Sequence, residues 1–369
     1  MRKQLNDNRF MRMAVALARR GYGNVAPNPS VGCVIVRSGR VVGRGWTRPG
    51  GRPHAETEAL SQAGKKASGA EVYVTLEPCA HHGKTAPCAE ALIGARVSRV
   101  IVGVRDPDPR VNGEGIALLK NAGIQVLEGV CENEAREVTA GFLQRVSEGR
   151  PYITVKVATT LDGRIATSTG ASTWITGELS RAIGHGMRAR HDAIMIGGAT
   201  AISDNPSLTC RLPGLESSSP ARFVICGRSS IPVSHELVVS AKRVSTTFLV
   251  VGTEEEAKWD KFKVAGVSIV ETGGDSEGNV DIASALHLIS EQGVTRLMVE
   301  GGGRLISTLL KSDLVDRLVW FRAPKLIGGD GIPVADTFGV GALDGAANFV
   351  KVSARPAGDD LVETYIRKH

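Results

Sequence analysis

His54-Ala55-Glu56, and then Thr75-Leu76-Glu77-Pro78-Cys79-Ala80-His81-His82-Gly83-Lys84-Thr85-Ala86-Pro87-Cys88, is the stretch on which the reading of this chain turns. The imidazole of His54 and the thiols of Cys79 and Cys88 can supply three ligands to a tetrahedral zinc ion. The fourth position then stays open, which separates catalytic from structural zinc. Two thiolates offset the divalent charge, and water at the open position becomes acidic enough to react near neutral pH. Glu56, two residues from His54, is placed to carry a proton from that water to a departing amine. Pro78 suits the first turn of a helix, so Cys79 is expected beside a positive helix end that favours its thiolate.

H-x-E followed by P-C is the zinc-deaminase signature, although the second cysteine here stands farther from the first than C-x-x-C would place it. The inserted loop, 80–87, carries two histidines and a lysine, an expected anion-binding lip beside the metal. Upstream runs Ala26-Pro27-Asn28-Pro29-Ser30-Val31-Gly32-Cys33-Val34-Ile35-Val36. With these motifs in order, the block resembles the deaminase half of the bifunctional pyrimidine deaminase/reductases of riboflavin biosynthesis. A structural zinc clip or a core histidine is the blander alternative for the same residues. The resemblance implies a cytidine-deaminase-like three-layer α/β/α domain, zinc on His54, Cys79 and Cys88, Glu56 as catalyst, and Asn28 in the pyrimidine pocket. It also puts His81, His82 and Lys84 at the substrate's 5′-phosphate, where a solvated polar loop is the alternative.

The chain has 369 residues, enough for two domains with their own cores. A net charge of +7 could suggest nucleic acid, but aromatic residues are only 4% and the basic residues are scattered, so stacking platforms are sparse. Phosphorylated small molecules explain the basicity as well, and no nucleic-acid partner is expected. Six cysteines without a framework pattern favour a reducing compartment, and no apolar run is long enough to span a membrane, so the cytoplasm is expected.

In chain order, the apolar face of Phe10, Met13, Ala14, Leu17 and Ala18 predicts a first helix capped near Asp7 or Asn8. A hairpin is expected over 31–36 and 41–45. Helices over 55–62, 87–95 and 115–122 then alternate with strands over 71–76, 99–103 and 124–128, which favours a largely parallel sheet. A helix over 132–146 closes the first domain, 1–147, and Ser147-Glu148-Gly149-Arg150-Pro151 reads as a linker to a second, 151–369. There, strands are expected over 152–158, 193–196, 222–226, 247–251, 267–271, 296–300 and 315–323, with a C-terminal hairpin over 349–352 and 361–366. Helices are expected over 178–190 and 304–310, with a short one after 197.

No Rossmann fingerprint is present, but Gly197-Gly198 and Gly301-Gly302-Gly303 both follow strands and precede helices, where backbone N–H groups can approach a phosphate. Lys156-Val157-Ala158 with Leu161-Asp162-Gly163-Arg164-Ile165-Ala166, the tract 197–208 and Val299-Glu300-Gly301-Gly302-Gly303 resemble the reductase half of the same family. That resemblance implies a dihydrofolate-reductase-like fold and NADPH as cofactor. It carries cofactor contacts to Ala158, Trp174, Thr200, Asp204, Gly302, Gly303, Arg304, Leu305, Ile306, Ser307 and Thr308. Substrate contacts fall on Ser172, Arg188, Leu208, Arg211 and Glu300. Guanidinium suits phosphate, so Arg188 and Arg211 are expected there, against a solvated helix face for Arg188 and an ordinary core position for Trp174. Arg228 is a further candidate for the cofactor's 2′-phosphate.

The implied chemistry is deamination of 2,5-diamino-6-(5-phosphoribosylamino)pyrimidin-4(3H)-one. Reduction of the ribosyl group of 5-amino-6-(5-phosphoribosylamino)uracil to ribityl follows, on a homo-oligomer. A nucleic-acid base deaminase fused to a reductase, a zinc clip joined to a binding module, and a chain with one active half stay open at this point.

Overall fold

The computed structural model describes residues 2–82, 86–227, 231–252, 256–337 and 339–368. The chain divides into two units, Met1–Tyr152 with Gly293–Thr295, and Ile153–Gln292 with Arg296–His369.

The first unit runs α1 (Arg2–Ala18), β1 (Gly32–Arg37), β2 (Arg40–Trp46), α2 (Ala55–Ala63), β3 (Glu71–Leu76), α3 (Cys88–Gly94), β4 (Arg99–Val104), α4 (Glu114–Asn121), β5 (Gln125–Glu128) and α5 (Glu132–Glu148). Its five-stranded sheet has the order β2-β1-β3-β4-β5 among the described residues. The parallel part is confined to β3, β4 and β5. Ser38 and Gly39 take left-handed backbone angles, so β1 turns back into β2 as a tight hairpin. The α2 crossover then delivers β3 to the far side of β1, antiparallel to it, so the sheet is evenly mixed where a largely parallel one with a hairpin was expected.

Period-2 alternation gives each strand two apolar faces. Cys33, Ile35, Val72, Val74, Val100 and Val102 belong to one core cluster with Ala55, Ala59, Ala89 and Leu92 from α2 and α3. Val34, Val36, Tyr73 and Ile101 belong to another with Phe10, Met11 and Ala14 from α1. The three layers follow directly.

Asp7 does not cap the first helix. It lies inside α1, where its carboxylate takes both Arg99 Nη1 (3.0 Å) and Nη2 (2.9 Å) and the Tyr73 hydroxyl (2.9 Å). A buried ion pair with three such bonds outweighs the local capping preference of an aspartate. The linker is also shorter than expected, because α5 continues through Ser147 and Glu148 to Gly149, whose φ of 68° ends the helix.

The second unit continues with β6 (Tyr152–Thr159), β7 (Arg164–Ala166), α6 (Glu178–Arg188), β8 (Ala193–Gly197), α7 (Gly198–Asp204), β9 (Ala221–Gly227), α8 (Glu236–Val239), β10 (Thr246–Val251), α9 (Glu256–Ala265) and β11 (Ser268–Thr272). It ends with α10 (Ile282–Glu291), β12 (Arg296–Glu300), α11 (Gly303–Lys311), β13 (Arg317–Arg322), β14 (Ile332–Pro333), β15 (Phe349–Ala357) and β16 (Asp360–Arg367). Nine strands form one sheet in the order β11-β10-β9-β8-β12-β6-β13-β16-β15 among the described residues. Strands β8 to β12 pair in parallel, and the C-terminal hairpin adds antiparallel to β13. Helices α8, α9 and α10 and the short β7–β14 pair are additions to the predicted elements. No helix among the described residues is long and apolar enough to cross a membrane.

Candidate active sites

Gly43 and Gly45 place the metal-binding helix. A β-carbon built on Gly45 would collide with the Ala55 carbonyl and lie 2.7 Å from the Ala59 nitrogen, so α2 rests directly on the backbone of β2. This seats His54 as the N-cap of α2 and Glu56, buried, in its first turn.

The His54 Nδ1 lies 3.7 Å from Cys79 Sγ and 3.4 Å from Cys88 Sγ, and the three ligand atoms fall within 4.8 Å of one another. Among the described residues this is the one cluster of metal-binding side chains found. One imidazole nitrogen and two sulfurs converging on a single point fit zinc, with no fourth protein donor in the group. The expected helix end is present but differently built. No helix starts at Pro78; Pro87 is the N-cap of α3, Cys88 is its first residue, and the Cys88 N–H donates to Cys79 Sγ at 3.3 Å. The Cys88 thiol above all, then His54 and that backbone bond, hold Cys79 down at about 4 against its burial. The same shared proton drives Cys88 upward. Burial, opposed by His54, lifts Glu56 to about 7.

Asn28 stands against Gly51, where a β-carbon would overlap its side-chain amide, so it packs on the turn that leads to His54. The His81 Nδ1 is buried with no hydrogen-bond partner among the described residues. His82 is exposed and meets Glu90 at 3.1 Å. Lys84 and Arg228 lie outside the described residues.

Glu77 is a residue that the motif reading passed over. Its buried carboxylate accepts the backbone N–H groups of Asp106 (3.3 Å), Gly113 (3.1 Å) and Ile116 (3.1 Å). The loop after β4 is thereby tied to the segment that carries Cys79.

In the second unit the structure joins Arg188 to Glu300. Arg188 Nε and Nη2 donate to the two Glu300 oxygens at 2.7 and 2.9 Å, and Nη1 donates to the Thr209 carbonyl at 3.0 Å. Burial works against ionisation of Glu300, but the charges of Arg188 and Lys156 overcome it and hold the carboxyl at about 2. Arg188 is therefore neither a solvated helix face nor an unpaired guanidinium. Arg211 is exposed, donating to Ser207 Oγ at 2.6 Å, and Leu208 between them is buried with a left-handed φ of 55°. Ser172 is exposed in the loop before α6.

The glycine turn lies against α7. Gly301 and Gly302 have φ of 80° and 84°, and β-carbons there would stand 3.2 Å from Thr200 Cγ2 and 3.1 Å from Thr200 Oγ1. This brings Thr200 to Gly302, the N-cap of α11, whose first N–H groups have no intrahelical acceptor. A nucleotide phosphate fits such a turn. Leu305, Ile306 and Ser307 have buried side chains, so only their backbone could face the turn. Arg304 donates to Asn279 Oδ1 at 3.0 Å, and Thr308 bonds back to the Arg304 carbonyl. Asp204 is exposed and bonded to Ser203, and Ala158 is half-buried in β6. Trp174, expected as a core or cofactor-flanking residue, is 66% exposed with the Arg181 guanidinium 4.5 Å from its ring centre.

Residues 4–104 match the cytidine and deoxycytidylate deaminase zinc-binding region, and residues 151–362 match the RibD C-terminal domain. The chain is 40% identical to the riboflavin biosynthesis protein RibD of Aquifex aeolicus, covering 96% of this chain and 97% of that one. Identity to the Escherichia coli RibD is 37%, over 97% and 98%. Among solved structures, Acinetobacter baumannii RibD is 34% identical with a TM-score of 0.88, covering 99% of this chain and all of the other. The diaminohydroxyphosphoribosylaminopyrimidine deaminase/5-amino-6-(5-phosphoribosylamino)uracil reductase of Thermotoga maritima is 32% identical over the same shares, with a TM-score of 0.86. Full-length identity and both domain matches agree with a deaminase-type metal cluster followed by a reductase-type sheet: the chain belongs to the RibD family of bifunctional deaminase/reductases of riboflavin biosynthesis.

Proposed function

We propose that residues 1–147 deaminate 2,5-diamino-6-(5-phosphoribosylamino)pyrimidin-4(3H)-one and that residues 151–369 reduce the resulting 5-amino-6-(5-phosphoribosylamino)uracil with NADPH. The observation that carries this reading is the convergence of Cys79 and Cys88 on His54, the N-cap of α2, whose first turn also holds a buried Glu56. His54, Cys79 and Cys88 hold zinc, which when bound supplies the Lewis acidity that makes water nucleophilic near neutral pH. Glu56, its carboxyl lifted to about 7, takes a proton from that water and returns it to the leaving amine, so that ammonia departs and a carbonyl remains. Asn28 orients the pyrimidine, and His81 and Lys84 meet the phosphate.

In the second half, NADPH supplies the hydride. The Gly302–Thr308 segment and Thr200 hold its phosphates, Ala158, Trp174 and Asp204 flank the nucleotide, and Ser172, Arg188, Leu208, Arg211 and Glu300 hold the substrate. Alignment of hydride and the opened sugar carries most of the rate. The protein works as a homo-oligomer in the cytoplasm.

The test follows NADPH absorbance with purified zinc-loaded protein and Glu56→Gln beside it. Wild type is expected to consume NADPH from the diamino compound, and the variant only from the deaminated uracil. NADPH left untouched with either compound would defeat the reductase assignment, and an active variant with the diamino compound would defeat the role of Glu56.

A further inference from the structure

The edge strand β2 and the two residues after it run Arg44-Gly45-Trp46-Thr47-Arg48, and within the strand the two-residue period places Arg44 and Trp46 on one face. A cleft of about 470 Å³ opens there, lined by Arg20, Arg44, Trp46, Arg48, Glu58 and Gln62 among others. It shares no residue with either candidate active site.

The charge arrangement is the unusual feature. The guanidiniums of Arg20 and Arg48 both lie against the same indole, 4.8 and 3.8 Å from the Trp46 ring centre. Cation–π attraction offsets only part of the repulsion between two like charges held so near one ring. Glu58 answers one of them, with Arg48 Nη2 donating to Glu58 Oε2 at 2.8 Å. Arg48 Nε is buried and has no hydrogen-bond partner among the described residues. Gln62 is occupied in accepting the backbone N–H of Arg44 at 2.6 Å, so it does not serve the guanidiniums through that oxygen. Among the described residues, the three arginines around the cleft are thus answered by one carboxylate.

We propose that this cleft binds a small phosphorylated anion. Stacking on Trp46 and the Glu58 bond hold Arg48 in place before any ligand arrives, which lowers the ordering cost of binding. Planar guanidiniums match phosphate oxygens two at a time. The volume falls within the range of small-molecule sites and exceeds what one inorganic phosphate fills.

The test is calorimetric titration of the full-length, zinc-loaded protein with pyrophosphate and with AMP, comparing wild type with the double variant Arg20→Ala/Arg44→Ala. Both residues are exposed, so the variant is expected to keep its melting temperature, zinc content and deaminase KM. The proposal requires that it bind at least one probe about tenfold or more weakly than wild type, as expected from losing charge-assisted hydrogen bonds. Arg211→Ala, in the other unit, should leave that binding event unchanged. Equal affinity in wild type and double variant, or no binding of either probe to wild type, overturns it. A short single-stranded oligonucleotide that binds tighter than both probes, with the same dependence on Arg20 and Arg44, overturns the assignment to a small ligand.

Discussion

The Asp7–Arg99 pair offers the clearest quantitative test of how the first unit is held together. The side chains are only 5% and 10% exposed, and besides Asp7 the Arg99 guanidinium reaches Glu71, which is 35% exposed, at 3.2 Å. Asp7→Ala strands the arginine with a half-solvated partner and takes the shorter of two acceptors from the Tyr73 hydroxyl, leaving Glu71 at 3.3 Å. Breaking a buried pair in this way costs about 3–5 kcal/mol, against a total stability of roughly 5–15 kcal/mol for a domain. At about 2–4 °C per kcal/mol for a unit of this size, the melting temperature should fall by roughly 6–20 °C. Because the chain holds two units, the assay follows residual deamination and residual reduction after stepwise heating of the same sample. Deamination should be lost at the lower temperature in the variant, and reduction should serve as the internal control. Asp7→Ala/Arg99→Met should recover much of the loss, because the uncompensated charge leaves with the arginine. A single-variant shift equivalent to less than about 1 kcal/mol, or a double variant as unstable as the two singles added, would refute the reasoning.

Gly45→Ala should push the first turn of α2 away from β2 and displace His54 and Glu56 together, so zinc affinity by chelator competition should fall while reduction of the deaminated uracil persists. His191 is buried, its Nδ1 on the Met187 carbonyl, and burial holds its pKa at about 4. The unfolded chain binds a proton below about 6.5 that the fold resists, so this residue makes stability decline as pH falls from about 6.5 to about 4, by about 3 kcal/mol. In His191→Gln, melting temperature against pH should lose that slope, and an unchanged slope would exclude His191 as its source. Arg222 is fully buried, with its hydrogen bonds going to the carbonyls of Ser207, Leu237 and Val244 and to the hydroxyls of Ser240 and Thr246. Arg222→Met should release the 205–211 loop and raise the KM of the reductase for the uracil phosphate more than for NADPH. Equal changes in both would point to general destabilisation.

Strands were the most legible part of the fold, because runs such as Val72–Leu76 and Ile194–Ile196 are apolar on both faces, and burial on both faces is what those strands have. Helix α9 was not legible, since Lys258, Asp260, Lys261 and Lys263 interrupt its apolar period, and its packing rests on the buried rings of Trp259 and Phe262. Helix α10 carried a readable signal that the reading passed over. Asp281 accepts the Ser284 N–H at 2.9 Å, an ordinary N-cap followed by an apolar stripe. The β7–β14 pair consists of three and two residues, below the length at which alternation means anything.

The two candidate sites differ in legibility for a physical reason. A zinc ligand announces itself by residue type, because few side chains other than imidazole and thiolate serve that metal, and the three ligands come from one short stretch. Glu77 announces nothing, since its carboxylate acts on backbone N–H groups 29 to 39 positions later. Charge partnership is equally hidden. The sequence offers Arg188 as a free guanidinium, but the fold pairs it with a glutamate 112 positions away that stays ionised far below neutral pH. The pair is nearly neutral, so it offers an anion little net charge. Under the proposed substrate assignment, the positive charge for a phosphate must then come from residues whose charge is not already cancelled. Of the two arginines expected at a phosphate, Arg211 is the exposed one, and its guanidinium meets only the Ser207 hydroxyl among the described residues.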